Sequence, residues 1–338
     1  MISFRYGTGI VDLAAGDLWA APPADDSYRD APADELLEIV RDIRAGTPWR
    51  TAVARRYEQA NPWLHQIITS PARDFFFRQH PPPPNAKILD IGAGWGQIAL
   101  PLAHNAKNQV TALEPTPERM AFIQAAAIQE RIVDRVHLVQ ADFFEIDFEP
   151  QQFDLVCCIG VLEWVPKFRE GEPAAVQAEF LRRIRSLLTP RGRLVVGIEN
   201  RLGLKYLLGA PDDHTGAAGV SVYDFALAAE KWLTQTGQPL RSFTFTRAEL
   251  ASLLTAAGFR QPAFFAALPD YKLPQLILPL GPEVDVFFEN GKFIPEHDGH
   301  SGRLLPFQAE LQSHYRSLAA LKIAHEFAPS FYVAASLV

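Results

Sequence analysis

The chain has 338 residues, a formal net charge of −7 and hydrophobic residues at 48% of its positions. This length fits one large domain or two ordinary ones, and the hydrophobic fraction is sufficient for a full core. The acidic balance argues against a long phosphate-binding surface, so nucleic acid is a disfavoured substrate. Neither a targeting segment nor an apolar run of membrane-spanning length is recognisable. We therefore expect a soluble, cytoplasmic protein, with Cys157 and Cys158 as reduced core residues.

The N-terminal part is predicted to be an irregular arm, over residues 1–32, followed by a helical cap. The spacing of apolar residues predicts helices in the cap. These are Ala33–Ala45, Thr51–Gln59 and a turn and helix within Asn61–Phe77. Pro81–Pro84 must be a stiff connector, because proline fits neither a helix interior nor a central strand. Residues 1–80 are thus predicted to form the arm and cap.

Beyond the connector, apolar runs alternate with amphipathic segments, which predicts an α/β fold with a mainly parallel sheet. The predicted strands are Lys87–Ile91, Gln109–Leu113, Val136–Gln140, Phe153–Ile159, Arg193–Ile198 and Phe259–Ala267, with Phe331–Val338 as a seventh, antiparallel strand. The predicted helices are Gln97–Asn105, Pro117–Arg131, Ala174–Leu188, Tyr223–Thr236 and Thr246–Ala257, the last with a capping box formed by Thr246 and Glu249. We expect a core over residues 85–268, a lid insertion over 199–238, and a C-terminal insertion and final strand over 269–338.

The first strand of this core runs into a glycine-rich turn, with Gly92, Gly94 and Gly96 after Asp90. Glycines let the backbone approach a ligand closely, which favours a nucleoside cofactor. The dinucleotide fingerprint G-x-G-x-x-G is not met, because position 97 is Gln. An acid at Asp90 would repel a pyrophosphate but suit a cationic amino-acid group. Glu114 ends the second strand, where a carboxylate can accept hydrogen bonds from ribose hydroxyls.

This pattern resembles motif I of the class I S-adenosylmethionine-dependent methyltransferases, which have a Rossmann-like seven-stranded sheet. The resemblance implies that S-adenosyl-L-methionine is the cofactor. It also implies the residues that hold each part of it. Asp90, Gly92, Ala93, Gly94 and Gly96 would hold the methionine end, Glu114 the ribose, and Asp142 with the Phe143 amide the adenine, while Ile159 and Gly160 continue the fourth strand towards the cofactor.

Methyl transfer to an alcohol also needs a base, because the hydroxyl proton must leave as the new bond forms. His214 is the candidate base, with Asp212 or Asp213 as its acid partner. Glu199, at the end of the fifth strand, completes a candidate catalytic set of His214, Asp213 and Glu199. Trp164 stands where many relatives carry a histidine. A second patch, comprising Glu296, His297, Asp298 and His300, is expected to be a solvated loop, so no metal site is predicted.

Several longer segments resemble a narrower group, the bacterial methyltransferases associated with glycosyltransferases of surface-polysaccharide assembly. These are NPWLHQIITSPAR, ENRLGLKYLLGAPDDHTG, LPDYKLP and FAPSFYVAAS, although Pro329 replaces the group's asparagine. The resemblance implies O-methylation of a saccharide or lipid-linked glycan, and a glycosyltransferase as a possible partner. A small-molecule methyltransferase and a cofactor-binding scaffold without turnover remain alternatives. Nicotinamide chemistry is disfavoured by Gln97, and DNA methylation by the missing Asn-Pro-Pro-aromatic motif.

Overall fold

The computed structural model describes residues 2–7, 9–12, 16–19, 29–105, 107–299 and 301–337. The chain divides into two compact units. Unit 1 comprises Met1–Ile159, Arg183–Val195 and Leu337–Val338, and unit 2 comprises Gly160–Arg182 and Val196–Ser336. Within the described residues, no helix is long and apolar enough to cross a membrane. The domain boundaries predicted from the sequence stay predictions.

The described chain contains helices and strands in alternation. The strands are β1 Ser3–Tyr6, β2 Gly9–Asp12, β3 Leu18–Trp19, β4 Lys87–Ile91, β5 Gln109–Leu113, β6 Val136–Gln140, β7 Ile146–Phe148, β8 Phe153–Ile159, β9 Leu188–Glu199, β10 Arg260–Leu268, β11 Leu276–Pro279 and β12 Ser330–Ser336. The α-helices are α1 Ala33–Arg44, α2 Trp49–Tyr57, α3 Pro62–Thr69, α4 Phe75–Gln79, α5 Ala99–His104, α6 Pro117–Gln129, α7 Pro173–Leu187, α8 Leu204–Leu207, α9 Phe225–Thr236, α10 Arg247–Ala256, α11 Pro282–Glu289 and α12 Gln308–Ala320.

The sheet of unit 1 has the strand order β9–β8–β4–β5–β6–β3, in which β4 pairs in parallel with both β5 and β8. β4 and β8 are almost completely buried, as expected for strands that are covered on both faces. Their carboxyl ends lie at one edge, where α/β proteins bind their ligands. The predicted Rossmann-like α/β class is confirmed, and β4, β5, β6 and β8 have the predicted bounds.

The helical cap of unit 1 packs on the core through α1 and α6. The apolar face of α1, with Leu36, Ile39, Val40 and Ile43, is buried. The side chain of Gln129 joins the two parts, because it accepts a hydrogen bond from the Trp49 amide and donates to the Ile43 and Thr47 carbonyls. The helix predicted within Asn61–Phe77 is interrupted at Ser70, since Pro71 cannot continue the hydrogen bonding of α3.

The prediction of an irregular arm over residues 1–32 is wrong for its described residues. β1 pairs antiparallel with both β2 and β7, and β3 pairs in parallel with β6. The partners β6 and β7 lie more than 100 positions away in sequence. The composition of the arm does not reveal partners so distant in sequence, so its strands could not be recognised from its own residues. Much of the predicted arm, including residues 20–28, lies outside the described residues.

Unit 2 contains the strands β11, β10 and β12, of which β10 pairs antiparallel with both neighbours. The predicted antiparallel final strand is therefore confirmed, with bounds Ser330–Ser336. A core cluster of Phe288, Leu311, Tyr315 and their neighbours fills the region of α11 and α12. α10 begins with the predicted capping box of Thr246 and Glu249. β9 starts earlier than predicted, at Leu188, because the Thr-Pro-Arg-Gly segment is part of the strand rather than a turn before it.

Candidate functional site

The glycine turn of unit 1 follows β4 directly. Gly92, Gly94 and Gly96 have φ values of 66°, 55° and 77°, in the left-handed region that favours glycine. The amides of Gly92 and Ala93 both donate to the Leu113 carbonyl, at 2.8 and 3.1 Å. These bonds fix the turn at the end of β5, so the two strand ends share one edge.

Glu114 joins the glycine turn to the second strand. Its side chain is 2% exposed, and its Oε2 atom accepts a hydrogen bond of 2.9 Å from the Gly94 amide. Its Oε1 atom accepts a bond of 3.1 Å from the Thr116 amide and lies 3.6 Å from the Arg119 guanidinium. The carboxylate is thus held in place by the backbone at the position predicted for the ribose ligand.

Asp90 is the last acid before the glycine turn, and it is buried, with 2% of its surface exposed. Burial raises the pKa of its carboxyl to about 7, although Arg73 and the Ala99 amide act in the opposite direction. Its Oδ2 atom accepts no hydrogen bond from the described residues. A buried carboxyl with an unsatisfied oxygen is expected to ionise readily when a cation binds beside it.

An unpredicted contact links the described end of the arm to the glycine turn. The Trp95 indole donates to both carboxylate oxygens of Asp30, at 3.2 and 3.0 Å, and Asp30 also pairs with Arg119 at 2.8 Å. The sequence leaves open whether Trp95 encloses the cofactor or packs in the core. Its ring is 1% exposed and packs edge-to-face against Phe122, 5.0 Å between centroids. No local pattern in the arm signals Asp30.

Asp142 and Phe143 follow β6, as predicted for the adenine ligands. The Oδ1 atom of Asp142 accepts a 2.7 Å hydrogen bond from the Phe144 amide, which caps a short 3₁₀ helix. Phe143 is largely buried, at 6% exposure, and Ile159 ends β8 with 8% exposure. These positions lie at strand ends of unit 1, and their roles towards a cofactor stay predictions.

Gly160, the first residue of unit 2, permits a close contact that other residues would prevent. A Cβ atom at this position would lie 2.7 Å from the Tyr271 hydroxyl, and the φ angle is 71°. Tyr271 is itself buried, and its carbonyl accepts a 2.9 Å hydrogen bond from the Tyr332 hydroxyl. Glycine is therefore required here both by the space available and by the backbone conformation.

His214 lies among three carboxylates of unit 2. Its Nε2 atom is 3.4 Å from Glu199 Oε2 and 3.7 Å from Glu163 Oε1, and its Nδ1 atom is 3.9 Å from Asp212 Oδ1. Burial alone would lower the pKa of His214, but Glu199 and the other acids raise it well above its ordinary value. The Trp164 ring packs edge-on against the imidazole, 5.0 Å between centroids.

Of the acids that were predicted to act with His214, only some contact it in the structure. Glu199 contacts the imidazole, as does Asp212, whereas both oxygens of Asp213 accept hydrogen bonds from Lys205, at 3.0 and 2.9 Å. Lys272 pairs with Glu199 through Oε1, and it lies 3.6 Å from Asp213 and 3.5 Å from Asp270. Glu163, Lys205 and Lys272 were not assigned from the sequence. The segments ENRLGLKY and LPDYKLP contain both lysines, but spacing alone gives them no partner.

The patch at residues 296–300 is not a solvated loop throughout, which corrects the prediction. Glu296 is 2% exposed and accepts a 2.7 Å hydrogen bond from the Tyr315 hydroxyl. Burial raises the pKa of its carboxyl to about 7. The core around α12 covers this residue, which a count of polar residues could not predict. His300 lies outside the described residues.

Unit 2 also contains a cavity of about 590 Å³. Most of its lining is apolar, with Val220, Phe225, Leu240 and Phe243 among the contributors. Polar side chains complete the wall: Gln177, Arg201, Asp212, Ser221, Tyr223, Ser242, Thr244, Glu249 and Ser252. Asp212 accepts a hydrogen bond from Ser221 in this wall and also contacts His214. The cavity therefore adjoins the His214 cluster through one carboxylate.

Residues 89–196 match the protein family described as "Methyltransferase domain". The ubiquinone biosynthesis O-methyltransferases of Xylella fastidiosa and Aeromonas salmonicida are both 30% identical to this chain, over 146 and 176 residues. The alignments cover 43% and 52% of this chain, and 54% and 66% of the two relatives. The chain therefore spans less than two thirds of the length of each relative.

Among solved structures, phosphoethanolamine N-methyltransferase 2 of Haemonchus contortus, in complex with S-adenosyl-L-methionine, is similar at 16% identity and a TM-score of 0.46. The match covers 88% of this chain and 59% of that one. The parallel strand order, the glycine turn and the family match identify residues 89–196 as a class I methyltransferase domain. This class depends on S-adenosyl-L-methionine, so the predicted class and cofactor are confirmed.

Proposed function

We propose that this protein transfers the methyl group of S-adenosyl-L-methionine to an oxygen atom of its acceptor. The observation that best supports the proposal is the bond between the Gly94 amide and the Glu114 carboxylate, which holds an acid at the end of β5. Oxygen is the favoured acceptor atom because the two relatives described above are named O-methyltransferases. In-line displacement from a sulfonium requires mainly alignment and the exclusion of water.

The cofactor is proposed to bind along the strand ends of unit 1. Glu114 accepts hydrogen bonds from the ribose hydroxyls, and Asp142 and the Phe143 amide hold the adenine. Asp90 and the turn formed by Gly92, Ala93, Gly94 and Gly96 hold the methionine end, with Ile159 and Gly160 beside it. The buried, partly unsatisfied Asp90 carboxyl supports this assignment, because the cofactor's amino group is a cation that it can pair with.

The acceptor is proposed to bind in the cavity of unit 2. Its volume of about 590 Å³ is in the range of ordinary small-molecule sites. The mainly apolar lining favours a molecule with an apolar body, and Asp212 and Ser221 offer polar contacts for a hydroxyl. We therefore favour a small amphipathic alcohol or phenol as the acceptor.

A lipid-linked glycan is the second candidate acceptor. The hydroxyl side chains of Ser242, Thr244 and Ser252 line the same cavity and offer hydrogen bonds to sugar hydroxyls. Together with the glycosyltransferase-associated group that the sequence resembles, they support O-methylation of a saccharide, with a glycosyltransferase as partner. An acceptor of this kind joins an apolar chain to a polar head, so it fits both parts of the lining.

His214 is proposed to act on the acceptor hydroxyl together with Glu199. The supporting observation is that Glu199 and Asp212 both contact the imidazole, and that Asp212 also lines the cavity. Asp213 is proposed to act indirectly, since its carboxylate pairs with Lys205. Conversion of His214 to Ala should abolish transfer while sparing cofactor binding.

Radiolabelled methyl transfer tests the proposal. The purified chain is incubated with S-adenosyl-L-methionine labelled in the methyl group and with lipid, phenolic and glycan fractions separately. We expect label in a fraction that mild alkali does not release as methanol, since alkali hydrolyses a methyl ester but leaves a methyl ether intact. Cofactor binding without label in any fraction would instead indicate a scaffold without turnover.

A further inference from the structure

We propose that Glu163, Glu199 and His214 form a binding site for a divalent metal ion, of the Zn²⁺ or Mn²⁺ class. The three residues belong to unit 2, and each offers one ligand atom. Ion binding itself is independent of methyl transfer, and only its catalytic consequence rests on the proposed function. No metal is expected here from the sequence, because the ligands are separated by up to 51 positions along the chain, from 163 to 214.

The distances between the ligand atoms fit an ion better than they fit hydrogen bonds. His214 Nε2 lies 3.4 Å from Glu199 Oε2 and 3.7 Å from Glu163 Oε1, and all three ligand atoms are within 4.8 Å of one another. Ligand atoms at ~2.1 Å from a tetrahedral ion are separated by roughly 3.4 Å. Hydrogen bonds between nitrogen and a carboxylate oxygen are shorter, at ~2.7–2.9 Å.

The carboxylates of this cluster are buried without the hydrogen bonds that burial normally demands. Glu163 is 0% exposed and Glu199 is 1% exposed. Neither oxygen of Glu163 accepts a hydrogen bond from any described residue, and the same holds for Glu199 Oε2. A buried acceptor that is left unsatisfied destabilises the folded chain, and a charged one does so more strongly. An ion between these oxygens and the imidazole would remove that destabilisation.

The other contacts of the ligands support the same occupant. Lys272 pairs with Glu199 Oε1, whereas Glu199 Oε2 lies beside the imidazole. On the far side of the imidazole, Asp212 lies 3.9 Å from Nδ1, and it is anchored by the His214 and Thr215 amides and the Ser221 hydroxyl. In metalloproteins a carboxylate commonly orients a ligating histidine from this side.

In a neighbouring group of acids, lysines neutralise the negative charge. Glu199, Asp213 and Asp270 also lie close together. Here Lys205 bonds to both oxygens of Asp213, and Lys272 lies between all three acids. Glu163, by contrast, makes no ion pair with a lysine or arginine among the described residues. A divalent ion beside Glu163 would offset this charge as the lysines do in the neighbouring group.

The donor set selects the class of ion. Carboxylate oxygens suit Mn²⁺ and Mg²⁺, whereas an imidazole nitrogen suits Zn²⁺ and other first-row metals. A set of two carboxylates and one imidazole thus favours Zn²⁺ or Mn²⁺ over Ca²⁺. Three protein ligands leave a coordination position for an acceptor oxygen, and a metal-bound hydroxyl loses its proton more easily than a free one. His214 would then act on the acceptor hydroxyl as a ligand of the ion, and the proton of that hydroxyl would pass to water.

Calorimetry on the full chain, after treatment with a chelator, tests the site with ZnCl₂ and MnCl₂. We expect one ion per chain, and affinity at least tenfold weaker in Glu163→Gln and His214→Ala. Asp285→Asn is the matched control, because the buried Asp285 carboxylate pairs with the partly buried imidazole of His325, 2.8 Å away and outside this cluster. It should bind the ion as the wild type does. Zinc anomalous scattering from wild-type crystals gives a readout independent of the folding of any variant, and we expect a peak between the three side chains.

The inference is overturned by the absence of one-to-one binding below millimolar concentration, by equal affinities in wild type and Glu163→Gln, or by an anomalous peak elsewhere. Binding of S-adenosyl-L-methionine to the same preparations separates this outcome from failure of the proposed function. An ion that binds while the cofactor does not would support the metal site and contradict the methyltransferase proposal. Cofactor binding and methyl transfer in a chain that binds no ion would support the methyltransferase proposal and contradict the metal site.

Discussion

The amide of Gly94 donates a 2.9 Å hydrogen bond to the carboxylate of Glu114, so the glycine turn after β4 is tied directly to the end of β5. The two residues are 20 positions apart in sequence. The bond fixes an acid where two parallel strands end, and Arg119 and the Thr116 amide hold its second oxygen. The donor half of the proposed reaction therefore depends on one buried carboxylate.

Replacement of Glu114 with Gln should weaken binding of S-adenosyl-L-methionine by about 1–3 kcal/mol, since charge-assisted hydrogen bonds to the ribose are lost. Isothermal titration calorimetry measures the change. Glu118→Gln is the control on the same stretch of chain, because Glu118 pairs with Arg29 rather than with the glycine turn. Equal affinities in wild type and Glu114→Gln would remove Glu114 as the ribose ligand.

Asp90 should make the free energy of unfolding depend on pH. Burial raises its pKa from the ordinary 3.8 to about 7 in the folded chain. Between these values the folded state keeps a proton that the unfolded state has lost. The stability that this group contributes is therefore full below pH ~4 and falls as the pH rises to 7. Asp90→Asn should remove that loss, which is on the order of a few kcal/mol, and denaturant unfolding at pH 5 and pH 8 measures it.

The same carboxyl gives a second, separate readout. If the cofactor's amino group pairs with ionised Asp90, binding below pH 7 must release a proton, and affinity should fall as the pH is lowered from 8 to 6. Calorimetry in two buffers of different ionisation enthalpy counts that proton. A wild-type affinity that stays level across this range, or a pH dependence that persists in Asp90→Asn, would contradict the assignment.

Gly160→Ala should destabilise the chain, because the new methyl group would lie 2.7 Å from the Tyr271 hydroxyl at a φ of 71°. The left-handed backbone costs about 1–2 kcal/mol, and displacement of the buried tyrosine adds to it. Gly209→Ala separates the two effects, since its φ is 95° but nothing lies within 4 Å of the added atom. Thermal unfolding should show a clearly larger loss for Gly160→Ala. Equal losses would mean that the contact with Tyr271 costs nothing.

Ser252→Trp should narrow the cavity of unit 2 and reduce acceptor methylation by at least tenfold, mainly through KM. Ser252 lies on α10 and lines the cavity, whereas Thr255, on the same helix, does not. Thr255→Trp is therefore the control for the effect of a large side chain on α10. Both variants should bind S-adenosyl-L-methionine as the wild type does. Unchanged acceptor kinetics in Ser252→Trp would place the acceptor elsewhere.

The core of unit 1 could be predicted from the sequence because each of its strands is an apolar run with a polar residue or glycine at its end. Lys87–Ile91 and Phe153–Ile159 have the predicted bounds for this reason. The strands Ser3–Tyr6 and Leu276–Pro279 were not predicted, because four residues are too few to show a clear pattern, and Ser3–Tyr6 also pairs with a strand more than 100 positions away. Local pattern is therefore sufficient for the buried strands of the core and insufficient for these short strands.

In the candidate site, too, some residues could be predicted from the sequence and others could not. The glycines and Glu114 were recognised because one contiguous segment contains them and their spacing has a physical meaning. Lys205, Lys272 and Glu163 were not assigned, since each acquires its role only when the chain brings it beside an acid or a histidine. The pairing of Asp213 with Lys205, rather than with the adjacent His214, could be learned only from the folded chain.

The central claim is that S-adenosyl-L-methionine binds at the glycine turn, with its ribose on Glu114. A crystal structure of the chain with S-adenosyl-L-homocysteine, the demethylated product, tests it most directly. We predict both ribose hydroxyls within hydrogen-bond distance of the Glu114 carboxylate, and the adenine amino group beside Asp142. Density for the nucleoside elsewhere on the chain, or none at the turn at saturating concentration, would contradict the claim.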